Sequence, residues 1–280
     1  HDFSVSGGSE NLKAYASLGY LDTEGIGVGQ AFEKYNARVN VDANLGDKLK
    51  VGLSLNGFYS HQDIMPWEMR DLLRAYSISP IYHTEASIAF VQALDTERQR
   101  LFDTGTFTGS NFGRTFDQDY RGIGLDPTSI YSLQAGDIVH DWHYGRNQNG
   151  IGGTGDAGVA AKLDNSDQWT KTYFGNMNSY LQYSIIDGLN IKTVFGADVR
   201  DREEYYYRGI LSDGRQRSTA TNLDILSTKL STVLSETTLN FAKVIGKHDI
   251  SAVAGLEFQN TYRKGKFTEG NNVPFGLPLN

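Results

Sequence analysis

The stretch Glu33-Lys34-Tyr35-Asn36-Ala37-Arg38-Val39-Asn40-Val41-Asp42-Ala43-Asn44-Leu45 decides the fold. From Tyr35 onward its odd positions are Tyr, Ala, Val, Val, Ala and Leu, while its even positions from Lys34 are Lys, Asn, Arg, Asn, Asp and Asn. Successive side chains of a strand point to opposite faces, so this order sets one apolar face against one polar face. A strand in a globular protein is usually about 5–6 residues long. An unbroken alternation of this length suits a wall with lipid on one side and water on the other better than it suits a soluble sandwich.

The same reading extends along the chain. In Asn11–Asp22, Leu12, Ala14, Ala16, Leu18 and Tyr20 share a face, and in Leu49–His61 Leu49, Val51, Leu53, Leu55 and Tyr59 do. Tyr173, Met177, Leu181, Tyr183 and Ile185 stand opposite Asn176, Asn178, Tyr180, Gln182 and Ser184. Within Leu189–Arg202 and His248–Tyr262 the pattern repeats, while Thr228–Lys243 is less regular and its register stays open. With Asp2–Gly7 this makes about eight strands. Short links fall at Gly7-Gly8-Ser9-Glu10, Gly46-Asp47-Lys48, Asp187-Gly188 and Ile245-Gly246-Lys247, with the turn residues that tight hairpins need. Longer links fall between them, around Gly25–Phe32, from Gln62 to Thr170, and from Tyr205 to Leu223. Tight turns at one end and long loops at the other describe an outer-membrane barrel. Tyr20, Tyr35, Tyr59, Tyr183, Tyr205, Tyr206, Tyr207 and Tyr262 lie near strand ends, where interfacial girdles place aromatics.

Composition agrees. Of 280 residues, 39% are hydrophobic, 31 are Gly and only 5 are Pro, with 16 Tyr and 14 Phe, which disfavours long helices. A net charge of −7 excludes the basic stripe that nucleic acid needs. The absence of cysteine excludes disulfides and thiolate metal sites. No apolar run approaches the roughly 18 residues of a membrane helix, which a barrel does not require. The chain opens at His1-Asp2-Phe3, already strand-like, and is expected to be a fragment or a processed chain.

The link from Gln62 to Thr170 differs in kind. Pro66–Tyr76 reads as a short amphipathic helix with Met69, Leu72, Leu73 and Tyr76 on one face, and a second helix is expected over Glu85–Phe102. Residues 62–170 are expected to form a long extracellular insertion with short helices.

Several of these stretches resemble one family. Phe3-Ser4-Val5-Ser6-Gly7-Gly8-Ser9-Glu10 leading into Tyr15-Ala16-Ser17-Leu18-Gly19-Tyr20-Leu21-Asp22, the hairpin from Tyr35–Asp42 to Leu49-Lys50-Val51-Gly52, and Gly246–Ile250 with Gly255-Leu256-Glu257-Phe258-Gln259 are similar to barrel hairpins of the SusC/RagA family of TonB-linked outer-membrane proteins. The resemblance implies an all-β, antiparallel transmembrane barrel segment, about eight strands of a larger barrel of 22. It also implies a bacterial outer-membrane location and import of a large nutrient, with a glycan expected. As partners it implies a SusD-like lipoprotein lid, TonB acting through a plug, and outer-membrane lipid. A TonB box, a plug and a closing strand that ends in an aromatic are not seen here, and Pro278-Leu279-Asn280 reads as loop.

Candidate chemistry is sparse. His140-Asp141-Trp142-His143-Tyr144 holds two His three apart, without a third metal ligand, in a loop. Trp142, His143 and Tyr144 are the better candidates for contact with substrate, since sugars stack on aromatic faces. Gly150–Gly155 spells GxGxxG without the preceding strand that a dinucleotide needs. Asp164-Asn165-Ser166-Asp167 offers oxygens without EF-hand spacing and reads as a solvated turn. Arg38, Asn40, Asp42, Asn176, Asn178, Gln182, Asp198 and Arg200 are expected on the polar wall of the lumen, and Arg202 with them. No catalytic, metal or cofactor residue is assigned. Two other architectures fit the same strands: an eight-stranded barrel closed on itself with a structural or adhesive role, and a secreted β-rich glycan-binding module.

Overall fold

The structure, a computed structural model, describes residues 1–67, 80–104, 131, 133–139, 159–209 and 221–273. Its strands are β1 (Asp2–Gly8), β2 (Leu12–Glu24), β3 (Ala31–Leu45), β4 (Leu49–Asp63), β5 (Ser166–Ile186), β6 (Leu189–Arg208), β7 (Asn222–Ile245) and β8 (His248–Asn271), and among the described residues α1 (Glu85–Asp103) and α2 (Val159–Asn165) precede β5. All eight strands join one antiparallel sheet in sequence order. β1 and β8 are its two edges and do not pair with each other, so the strands do not close into a barrel by themselves. A second sheet to share a sandwich core is also missing among the described residues. The sheet is therefore a partial barrel wall.

The chain divides into two compact units. The first is His1–Ile64, Trp169–Tyr205 and Asp224–Thr268, which is the sheet; the second is Met65–Gln168, Tyr206–Leu223 and Glu269–Asn280.

In the sheet unit the expected faces are realised by register. Ala16, Val39, Leu55 and Met177 are cross-strand neighbours, as are Ala14, Val41, Leu53 and Ser179 in the next row, and then Leu12, Ala43, Val51 and Leu181. None of these side chains is buried. Val39, Leu53 and Leu55 are 39%, 37% and 38% exposed, in the middle of the sheet. The buried apolar side chains among the described residues are Trp67, Val91, Val139, Tyr207 and Leu223, and all of them belong to the second unit. A sheet whose apolar face stays this exposed is stable only where something else, such as lipid, covers it.

Tyrosines bound this apolar band. Tyr20, Tyr35, Tyr59 and Tyr173 occupy one register row, and their ring centroids follow at 4.8, 6.3 and 4.9 Å. Tyr183, opposite Leu49, marks the other end. The ten residues from Tyr173 to Tyr183, at about 3.4 Å each and tilted about 40–45°, rise about 25 Å, the height of an outer-membrane apolar band. Beyond Tyr205, which stacks on Trp169 at 4.9 Å and 7°, lie the ends of the strands. Tyr207 departs from the expected girdle: it is 2% exposed and belongs to the second unit.

The turns follow their chemistry with one change. Gly46 and Gly188 adopt φ of 72° and 82°, which a side chain would strain. The first hairpin instead turns at Ser9, whose Oγ accepts from the amides of Asn11 and Leu12 at 3.3 and 3.2 Å, while Gly7 and Gly8 stay in β1. Asp164-Asn165-Ser166-Asp167 is likewise no turn: α2 ends at Asn165 and β5 starts at Ser166.

The register of β7 comes from its neighbours. Thr193 and Thr237 share a hydrogen bond at 3.1 Å, and Asn240 donates to Asn190 at 3.4 Å. Odd positions of β7 therefore lie on the apolar face, where the two threonine hydroxyls satisfy each other.

In the second unit α1 fills the expected second helix. Thr84 caps it reciprocally with Ser87: the Ser87 amide donates to Thr84 Oγ1 at 3.2 Å and the Thr84 amide to Ser87 Oγ at 2.8 Å. Of the expected helix Pro66–Tyr76, residues 68–76 lie outside the described residues. His83 is 2% exposed; its amide donates to Asp137 O at 2.7 Å and its Nδ1 lies 3.0 Å from Ser87 Oγ. Burial pushes its imidazole below the usual histidine value, against a weaker opposing pull from Asp137. The unfolded chain then binds more protons at mildly acid pH, so this stabilisation is present above about pH 6.5 and lost as pH falls below it. Hydrogen exchange at the Val139 amide, which donates to Ile81 O at 3.0 Å, is expected to accelerate below that pH, and His83→Gln to remove the dependence. Exchange insensitive to pH in the native chain, after correction for intrinsic rates, would contradict it.

Candidate functional site

The polar face is built by the same alternation that builds the apolar one. Register places Ser17, Arg38, Asn56 and Asn176 in one row, Tyr15, Asn40, Ser54 and Asn178 in the next, and Lys13, Asp42, Gly52 and Tyr180 in the third. Asn44, Lys50 and Gln182 form the row beyond them. Asp198 and Arg200 continue the face in β6, where Arg200 lies 5.5 Å from the Phe174 ring. The structure thus gathers all eight expected wall residues onto one face of one sheet.

These groups are tied to each other. Ser54 donates to Asn40 Oδ1 at 2.7 Å, and Asn178 Nδ2 to Asn176 Oδ1 at 2.7 Å. Tyr180 donates its hydroxyl to Asp42 Oδ1 at 2.8 Å, spanning from β5 across β4 to β3. It can do so because β4 carries Gly52 beneath it: a Cβ there would lie 2.0 Å from the Tyr180 ring. Lys192 Nζ sits 5.1 Å from the same ring. Arg202 Nε pairs with Glu204 at 3.1 Å.

Sequence reading missed a second cluster on this face. Phe58 and Phe174 stack at 5.2 Å, Lys34 Nζ lies 4.5 Å over Phe58, and Arg200 covers Phe174. Two apolar rings among polar positions look like a break in alternation when each strand is read alone. The Phe58↔Phe174 pairing is the signal that joins them. Such a wall of amides, hydroxyls, covered rings and both signs of charge can hold water and contact a polar solute. Among the described residues no group of three or more His, Asp or Glu is placed to bind a metal. Trp142, His143, Tyr144, His140 and the Gly150–Gly155 segment lie outside the described residues.

No family model matches the chain. TonB-dependent receptor P3 of Formosa agariphila is 25% identical over 277 residues, 94% of this chain and 22% of that protein. TonB-dependent receptor P26 of the same organism is 37% identical over 86 residues, 31% of this chain and 9% of the relative. The structure of the RagAB peptide transporter aligns with a TM-score of 0.61 at 19% identity, over 99% of this chain and 26% of that one. The RagAB peptide importer in the closed-closed state gives the same TM-score at 18% identity. At that identity the likeness is one of fold. The chain spans about a fifth of the length of receptor P3 and about a quarter of the RagAB chain. The chain is thus similar along nearly its whole length to a TonB-dependent receptor and shares the fold of the matching part of RagAB.

Proposed function

We propose that this stretch is wall of an outer-membrane barrel that imports a large nutrient, an oligosaccharide, by a TonB-dependent mechanism. The single observation that carries the membrane reading is the exposed apolar face, about 25 Å high between the tyrosine row and Tyr183, backed by a hydrogen-bonded polar face. In this reading Arg38, Asn40, Asp42, Asn176, Asn178, Gln182, Asp198 and Arg200 line the lumen, residues 62–170 are extracellular, and Trp142, His143 and Tyr144 contact substrate. A SusD-like lipoprotein covers the outer mouth, and TonB acts through a plug elsewhere in the receptor. RagAB is a peptide importer, and that substrate class stays with RagAB.

Deleting the receptor gene is expected to abolish growth on the oligosaccharide that induces it while sparing growth on the component monosaccharides. Collapsing the inner-membrane proton gradient in uptake assays is expected to stop accumulation of labelled oligosaccharide. A mutant that loses peptide utilisation and keeps oligosaccharide growth would overturn the glycan assignment. Recovery of the receptor in the soluble periplasm would overturn the membrane reading.

A further inference from the structure

One groove lies on the apolar face and not on the polar one. Directly beneath the tyrosine row, the next register row is Leu18, Ala37, Gly57 and Gly175, so the floor between large neighbours is almost bare. The groove has a volume of about 810 Å³, is lined mainly by apolar atoms, and reaches from Phe3 and Leu18 to Val199. It crosses from β1 to β6, five strand spacings of about 4.8 Å, or about 24 Å, the scale of an extended acyl chain. A Cβ added at Gly175 would meet nothing within 4 Å, so this space is left open by choice of residue and not by crowding. Glycine in a strand interior weakens it and often marks the close approach of a ligand.

The rows just outside the tyrosines carry charge of one prevailing sign. Asp22 pairs in register with Glu33, and Glu24 and Asp63 lie one row further on the same face. The basic side chains in these rows are engaged: Lys171 Nζ sits 4.1 Å over the Trp169 ring, and His61 Nε2 bonds Asp63 at 2.8 Å. At the edge of a low-dielectric band, the Asp22 and Glu33 carboxylates attract an ammonium group and repel a phosphate that has no compensating charge.

We propose that this groove is a lipid site on the outer wall of the barrel, seating one acyl chain of an outer-leaflet lipid whose head group carries a primary amine. The inference rests on the membrane reading above and adds an occupant to it. The ladder of tyrosine rings forms the rim over which the head group turns toward Asp22 and Glu33. Because lipid tails are as apolar as the groove, selection comes from fit along the floor and from the head group, not from burial alone.

The test uses the full-length receptor in nanodiscs of phosphatidylethanolamine, phosphatidylglycerol and phosphatidylcholine in equal parts, with retained lipid identified by native mass spectrometry. The native receptor is expected to retain phosphatidylethanolamine selectively. Gly175→Leu is expected to cut that retention about fivefold, with normal heat-modifiable mobility on gels; if it fails to fold, Ala37→Phe blocks the same floor. Asp22→Asn combined with Glu33→Gln is expected to bring phosphatidylethanolamine and phosphatidylglycerol toward parity. Equal retention of all three lipids by the native receptor, undiminished retention with the floor filled, or retention of phosphatidylglycerol that EDTA abolishes would each overturn the proposal. A receptor that fractionates with the outer membrane but holds no lipid selectively sinks this inference alone. One that does not fractionate there sinks the reading beneath it.

Discussion

Leu53→Arg is expected to destabilise the receptor in bilayers by about 2–4 kcal/mol, the cost of a guanidinium near the middle of a lipid-facing wall. Leu53 lies in the row of Ala14, Val41 and Ser179, three rows from the tyrosine ladder and two from the row of Tyr183. No neighbour in that row offers a carboxylate, and the band is too tall for the side chain to reach water cheaply. Asn56→Arg, on the opposite face in the row of Ser17, Arg38 and Asn176, is expected to cost less than about 1 kcal/mol, because its charge meets water. Urea titration of both variants refolded into vesicles, read by heat-modifiable mobility, measures the difference. Equal effects from the two substitutions would mean that the faces have been assigned the wrong way round or that the sheet is not in a membrane.

Gly52→Val is the second large effect, and it concerns the polar face. The added Cβ would collide with the Tyr180 ring, and the Cβ of a β-branched residue cannot move aside within a paired strand. Tyr180 must then lift away, which loses its hydrogen bond to Asp42 and its contact with Lys192. Overpacking of this kind costs about 1–3 kcal/mol. Tyr180→Phe keeps the ring over Gly52 and removes only the hydroxyl, so its expected cost is about 1 kcal/mol. The comparison separates ring packing from hydrogen bonding. If Gly52→Val were no worse than Tyr180→Phe in the same refolding assay, the glycine would not be there to admit the ring.

Much of this wall can be read from single strands, because the two faces of β3 differ in polarity at every second residue. That same dependence explains where the reading stops. The sequence pattern ended β6 near Arg202 and β8 near Tyr262, whereas the strands run to Arg208 and Asn271. Past the tyrosine row the contrast between odd and even positions fades, and hydrogen bonding continues without a visible pattern. β7 was ambiguous for a different reason. Thr237 sits on the apolar face, legal only because Thr193 answers it from β6, and Leu234 sits on the polar face beside Gly196. Each irregularity is resolved by a partner on another strand, which local periodicity does not contain. The Tyr180–Asp42 link is the extreme case, with 138 residues between its ends. Of the candidate site, the eight wall residues were legible because they only had to share a face. The Phe58–Phe174 stack was not, since its meaning depends on register.

The interval from Tyr173 to Tyr183 has a further consequence. It is a ruler cut into the strands, and a bilayer that does not match it must deform. A hydrocarbon core averages about 30 Å, while bacterial outer membranes are thinner than average. A wall whose apolar height is about 25 Å would pull lipids inward around itself in the thicker bilayer, at a cost of fractions of a kcal/mol for every Å of mismatch. Spread around the circumference of a large barrel, that penalty acts as a thickness filter: it favours the membrane in which the tyrosines already stand at the water's edge.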